Sequence, residues 1–201
     1  MLKLHDFLDS GNGYKVRLLL ALLGEPFELL EHDITKGETR THEYLAMNAN
    51  GRIPLLQTED GQFLAESNAI LFYLAEGTRF MPTDRMDRAR VLQWMFFEQY
   101  SHEPNIATSR FLRHHREMTD EVRALLDQKR EPGYAALGVM EGQLSGQDYF
   151  VGGTYTVADI ALYAYTHVAH EGGFDLAEHP GIRTWLSRVA SEPGHIPITH
   201  R

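Results

Sequence analysis

Asn48-Ala-Asn-Gly-Arg-Ile-Pro-Leu-Leu-Gln57 plants a proline where the pattern otherwise asks for a strand. Asn50-Gly51 is a turn signal, and the apolar run after it reads as a strand, an element that excludes proline except at edges, first positions and bulges. One resolution is a cis Ile53–Pro54 bond, the state of only about 5% of such bonds in folded proteins and one usually met in tight turns. Pro54 has no N–H. Ile53 beside it is then expected to turn its own N–H and C=O outward, toward an extended, peptide-like ligand. The other reading is a trans proline opening an ordinary edge strand.

Upstream, Leu2 to Phe7 alternates well enough for a short strand. Asp9, Ser10 and Asn12 follow as candidate helix caps, and the helix they introduce runs from Tyr14 to Leu23, where Gly24 and Pro26 stop it. A helix this apolar must be buried on most of its circumference. Phe27 to Asp33 reads as a second strand, completing a βαβ unit. Gly37 to Met47 reads as a short, irregular helix. Downstream of the proline, Glu59-Asp60-Gly61 turns the chain into Gln62–Ala65, and Glu66-Ser67 opens a helix over Asn68–Glu76.

Beyond a linker at 78–83 the period becomes helical throughout. Asp84 to Glu103 and Asn105 to Arg116 are helices separated by Pro104, which should kink or interrupt them. Asp120–Arg130 and Pro132–Leu144 read as a helix pair broken at Pro132-Gly133. In Tyr155-Thr-Val-Ala-Asp-Ile160, Thr156 and Asp159 form a capping box in its Asp variant, and a last amphipathic helix spans Pro180–Ser191. The expected architecture is therefore a small α/β domain at 1–77 (βαβ, a loop helix, then ββα) followed by an all-α domain at 84–201.

The chain has 201 residues, 43% hydrophobic and 23% charged, with a net charge of −9 and no basic block. Nucleic acid and anionic membrane are thus not expected partners. No apolar run reaches the roughly 18 residues of a spanning helix, and the first residues lack a secretory pattern, so a cytoplasmic protein is expected. Cysteine is absent, which excludes disulfides, thiolate metal sites and any mechanism that uses a protein thiol. The histidines pair at His114-His115 and at His167/His170, but no third ligand stands at a metal-binding spacing, and no metal is expected.

Three motifs, Ser10-Gly-Asn-Gly-Tyr-Lys-Val-Arg17, Arg52-Ile-Pro-Leu55 and Glu66-Ser-Asn-Ala-Ile70, stand in an order and spacing that resembles the cytosolic glutathione transferases, from Leu2 to about Ser191. Thr156-Val-Ala-Asp159 is similar to that family's folding motif. The resemblance implies a thioredoxin-like N-terminal domain, an all-α C-terminal domain, usually a homodimer, and glutathione as the bound thiol. It implies a transferase acting on an electrophile, organic peroxide reduction, or cis–trans isomerisation, with a role in detoxification; a binding or scaffold protein without turnover is the reading from another class.

Glutathione has a central thiol and anionic ends, so its site has three needs. Ile53 beside Pro54 is expected to pair the cysteinyl backbone. Ser67, at a helix N-terminus where unpaired N–H groups favour an anion, is expected to hold the γ-glutamyl carboxylate and Glu66 its ammonium; plain helix capping is the alternative for both. Thiolate stabilisation falls to Ser10, which lies where serine-type members place theirs, or to Asn12, whose amide also donates; either side chain could instead merely cap the first helix. Arg52 resembles the cation that often meets the glycyl carboxylate, with a solvated surface charge as the other reading. Thr39 and Ala49 depart from the family's usual residues. Tyr100 and Asn105, with Phe97, Ser101 and Arg110, are candidate lining for the second substrate.

Overall fold

The computed structural model describes residues 1–200. Its elements run β1 (Leu2–Asp6), α1 (Gly11–Leu23), β2 (Phe27–Glu31), two 3-10 turns (Ile34–Lys36 and Glu38–Arg40), α2 (His42–Met47), β3 (Leu55–Gln57), β4 (Phe63–Ala65), α3 (Ser67–Ala75), α4 (Arg85–Phe97), a π turn (Glu98–His102), α5 (Glu103–His115), α6 (Asp120–Leu144), α7 (Val157–Thr166), a 3-10 turn (Ala169–Gly172) and α8 (Pro180–Ala190). They divide into two compact units: Met1–Thr78 together with the residues from Pro193 onward, and Arg79–Glu192.

In the first unit the sheet order is β2-β1-β3-β4, with β1 parallel to β2 and antiparallel to β3, and β3 antiparallel to β4. Side chains alternate across β1. Leu2 and Leu4 join Val16, Leu20, Leu56 and Ile70 in a buried core between the sheet and the helices α1 and α3. Each such side chain contributes roughly 1.5–3 kcal/mol by leaving water. His5, one step out of phase, lies instead against His32 and Tyr44, with ring centroids 5.1 and 6.0 Å away. Asp6 returns to the phase of the two leucines and meets Arg17 of α1 at 2.8 Å, both groups buried. Gly13 permits this approach: a Cβ there would sit 1.5 Å from Asp6 Oδ1.

The chain's last described residues belong with this first unit, whereas the sequence pattern carried the helical domain through to the end. Pro193 to His200 has no helical period, so its carbonyls need donors from elsewhere. Buried groups on α1 supply them: Tyr14 Oη donates to Ile196 O at 2.7 Å, and Arg17 Nη1 donates to the carbonyls of Ile198 and His200, each at 2.8 Å.

In the second unit every residue of α7 is buried. Around it Phe150 contacts Trp94 and Trp185, with ring centroids 4.6 and 5.2 Å apart, and Tyr163 adds a third ring to Trp185 at 5.9 Å. Asp159 holds this core's polar centre. Its carboxylate accepts from the N–H groups of Phe150 and Thr156, the Thr156 hydroxyl and the Trp185 indole, at 2.9–3.1 Å.

Two prolines behave as their backbones require. Pro104 lacks the N–H that would close a bond to the preceding turn. The helix widens there into the π turn Glu98–His102 and restarts as α5 with Pro104 in its first turn, where no intrahelical partner is needed. Pro132 does not separate two helices, contrary to the pattern reading, because α6 continues through it for 25 residues. Gly133 next to it marks close packing and no break: the ring of Phe174 lies where a Cβ would be, at 2.4 Å.

Burial pushes the carboxyls of Asp159 and Asp6 up to about 6, outweighing the hydrogen bonds to Asp159 and the Arg17 charge beside Asp6. A folded-state value above the unfolded one means that these groups stabilise the fold fully below about pH 4 and lose that contribution as pH rises through about 6. The advantage of the wild type over Asp159→Asn in urea midpoint is therefore expected to shrink between pH 4 and 6.5. Asp159→Ala, which also orphans buried donors, is expected to cost about 3–5 kcal/mol near pH 4, measured by urea unfolding, with the cost falling toward pH 6.5 in the same way.

Candidate functional site

The ladder registers bring three separate stretches to one end of the first unit's sheet. His5 pairs with Leu55, and Leu55 pairs with Ala65. One residue further along each strand therefore stand Asp6, Pro54 and Glu66. Beyond Asp6 the chain turns into α1, Ile53 precedes Pro54, and Glu66 opens α3.

Ser10 is the N-cap of α1, its backbone extended and its Oγ accepting the Gly13 N–H at 3.3 Å. Asn12 and Lys15, three apart on one face of that helix, both reach the start of α3. Ser67 Oγ donates to Asn12 Oδ1 at 3.4 Å, and Lys15 Nζ donates to Ser67 Oγ at 3.5 Å. Lys15 has no solvent exposure and Ser67 only 5%.

Glu66 has φ 70° and ψ 113°, and it is the only residue other than glycine with positive φ among those described. An L side chain in such a region costs on the order of 1–3 kcal/mol, and strain of this kind collects at functional sites. The Glu66 side chain is exposed.

The Asn48–Pro54 loop is held from behind. The Arg52 carbonyl accepts from Tyr44 Oη at 2.9 Å and from Asn48 Nδ2 at 2.8 Å, and the Ile53–Pro54 peptide is cis. These two bonds fix the backbone just before Ile53 while the Arg52 side chain stays exposed.

Residues 1–76 match the glutathione S-transferase N-terminal domain and residues 95–193 match the C-terminal domain of the same family. The chain belongs to the glutathione S-transferase family. A glutathione S-transferase from Pseudomonas fluorescens Pf-5 shares 52% identity with it, with a TM-score of 0.97 over 99% of both chains. The disulfide-bond oxidoreductase YfcG of Escherichia coli is 27% identical over 93% of this chain and 89% of its own length. The glutathione transferase URE2P8 of Phanerochaete chrysosporium, solved with oxidized glutathione, is 25% identical, with a TM-score of 0.86 over 96% of this chain and 90% of that one.

Within this family member, Ser10, Asn12, Ile53, Pro54, Glu66 and Ser67 all lie at the same end of the sheet. Tyr100 and Asn105 lie in the second unit. Tyr100 stands on the π turn with 88% of its surface exposed. The Asn105 amide donates to the Ser101 carbonyl at 2.7 Å, within its own turn. Arg110 is committed to Glu171 at 2.5 Å, and Phe97 packs edge-on against Trp94 at 5.2 Å. Lys15 was missed as a member of the cluster. Its signal was present in the sequence: a lysine inside a helix apolar enough to be buried nearly all round must itself be buried, and needs a polar reason to be there.

No described helix is long and apolar enough to cross a membrane. Replacing Glu66 by glycine should relieve the backbone and raise stability by about 1 kcal/mol in urea unfolding. A loss of stability would show that the φ of Glu66 carries no strain.

Proposed function

We propose that this chain is a glutathione-dependent transferase that binds glutathione along the end of the first unit's sheet and presents its thiolate to an electrophile. The observation that carries this reading is the convergence of the Ser10-capped start of α1, the fixed loop at Ile53 and the start of α3 at Ser67 on that one end. In this reading the Ile53 backbone pairs the cysteinyl residue, Ser67 and the α3 N-terminus take the γ-glutamyl carboxylate, Glu66 takes the ammonium, and Arg52 meets the glycyl carboxylate. The binding of oxidized glutathione by URE2P8 supports the choice of ligand.

A free thiol of pKa about 8.5 is only a few per cent ionised near neutrality. One hydrogen bond to the charged form is worth roughly 1.5–3 kcal/mol, or about one to two pKa units. The Ser10 hydroxyl accepts from Gly13 N–H and keeps its own proton to donate, so it is the first choice for the thiolate. Asn12 is the rival. The thiolate then attacks an electrophilic carbon, forming a thioether and releasing the leaving group. With an organic hydroperoxide the same sulfur takes the terminal oxygen, the alcohol leaves, and a second glutathione gives the disulfide and water. Tyr100 and Asn105 remain the proposed second-substrate residues. The family's homodimer is proposed as well, with light scattering at twice the chain mass of 22.9 kDa as its check.

The E. coli relative's name favours one further reaction, reduction of disulfides. It needs no protein cysteine: a glutathione thiolate attacks one sulfur of the substrate disulfide, expels the other as a thiolate, and a second glutathione resolves the mixed disulfide. Isomerisation is less favoured, because Gly11 and Asn12 stand where the class it resembles has serine and cysteine.

Calorimetric titration with glutathione, together with thiolate absorbance against pH, tests the reading. The wild type should bind, and its bound thiol should ionise below the free value. Ser10→Ala should raise that pKa by one to two units and lower turnover about 10-fold or more, with Asn12→Ala nearer to wild type. The reverse ranking would make Asn12 the activating residue. Binding without turnover on electrophile, hydroperoxide and disulfide panels would favour the scaffold reading, and no binding at millimolar glutathione would defeat the proposal.

A further inference from the structure

We infer that Lys15 is a positioning residue for the γ-glutamyl carboxylate: its ammonium, buried behind α3, holds the Ser67 oxygen so that the Ser67 proton is delivered to the ligand. This inference rests on the glutathione-binding reading above and gives a role to Lys15, which stands inside the first motif without one.

The geometry is specific. An ammonium has three protons and no lone pair, so at the 3.5 Å Lys15–Ser67 contact only the lysine donates. The Ser67 oxygen is then an acceptor toward Lys15, and its single proton must point elsewhere. It points to Asn12 Oδ1 at 3.4 Å. Both contacts are long for hydrogen bonds of their kinds, the arrangement of a hydroxyl held loosely between two neighbours. A carboxylate arriving at the first turn of α3 offers that proton a charged acceptor, with which a shorter and stronger bond forms. Lys15 keeps its hold on the oxygen throughout.

The electrostatics point the same way. Lys15 is fully enclosed, so its charge is little screened by water and acts through a medium of lower dielectric. It lies behind the N-terminal end of α3, whose unpaired N–H groups already carry partial positive charge. An anion at that end therefore meets a hydroxyl proton and helix N–H groups, with the lysine amine held against the hydroxyl oxygen. The thiol of bound glutathione belongs to the next residue, with the γ-glutamyl chain and a peptide bond between it and this carboxylate, so the effect should fall on binding and leave the chemical step alone.

The test pairs a variant with a ligand that lacks the group in question. Glutathione and γ-aminobutyryl-cysteinyl-glycine, which is glutathione without the γ-glutamyl carboxylate, are titrated by calorimetry into the wild type and Lys15→Met. The expected result is a loss of about tenfold or more in glutathione affinity on substitution, with less than twofold for the decarboxylated analogue. Steady-state kinetics should show KM for glutathione rising by the same factor with kcat within twofold. On a Ser67→Ala background the Lys15→Met loss should largely vanish, since the hydroxyl through which it acts is gone. Equal losses for the two ligands, or no loss for glutathione, would overturn the inference. Should Lys15→Met fail to fold, Lys15→Gln, which keeps a neutral donor, serves in its place and should show an intermediate loss confined to glutathione. A wild type that binds neither ligand defeats the glutathione-binding reading itself, whereas a wild type that binds glutathione with equal losses on substitution defeats only the role of Lys15.

Discussion

Asp6 and Arg17 face each other at 2.8 Å with 0% and 1% of their side chains exposed, and much of the first unit depends on that contact. Isolated in the interior, either charge would be prohibitively costly, and removing one partner of such a pair typically costs about 3–5 kcal/mol. The pair ties the end of the central strand to the helix that follows it. The guanidinium then donates three more bonds to backbone carbonyls, at Leu8 in the loop before α1 and at Ile198 and His200 in the tail. The loop that carries Ser10 is thus fixed by the group that also holds the tail. Burial raises the Asp6 carboxyl to about 6 in spite of its partner, so the arrangement specifies geometry at some expense of stability.

From this anchor the site follows by register. β1 sets the position of Ser10, β1 pairing with β3 sets Pro54, and β3 pairing with β4 sets Glu66 and Ser67. Three stretches, the first well separated in sequence from the other two, meet because each adjoins the end of a paired strand. α1 and α3 then start side by side, and their first turns carry the polar groups. The glycine at 13 is what allows α1 to lie close enough for the Asp6–Arg17 contact to form.

Much of the fold was legible. The proline stretch, the cap residues at Ser10 and Thr156, and the change of period after Gly77 each have a local physical cause that a sequence displays directly. The less legible parts involve partners distant along the chain. Pro132 looked like a break because a proline removes one helix bond wherever it stands; α6 nonetheless runs through it, with Phe174 packed against Gly133, and a local pattern holds no trace of that contact. The tail looked like the end of the helical domain because nothing local tells which unit will supply donors to its carbonyls.

The sequence by itself determined the family, the order of the elements, the absence of any protein thiol and the set of polar residues at the strand ends, because these depend on residue type and on spacing along one chain. Tertiary structure alone decided that Glu66 adopts positive φ, that Tyr44 and Asn48 brace the Arg52 carbonyl, and that Lys15 lies buried against Ser67. A side chain's burial and its partner are properties of two segments at once, and the long-range pairing that joins them is fixed only when the whole sheet and its helices have closed.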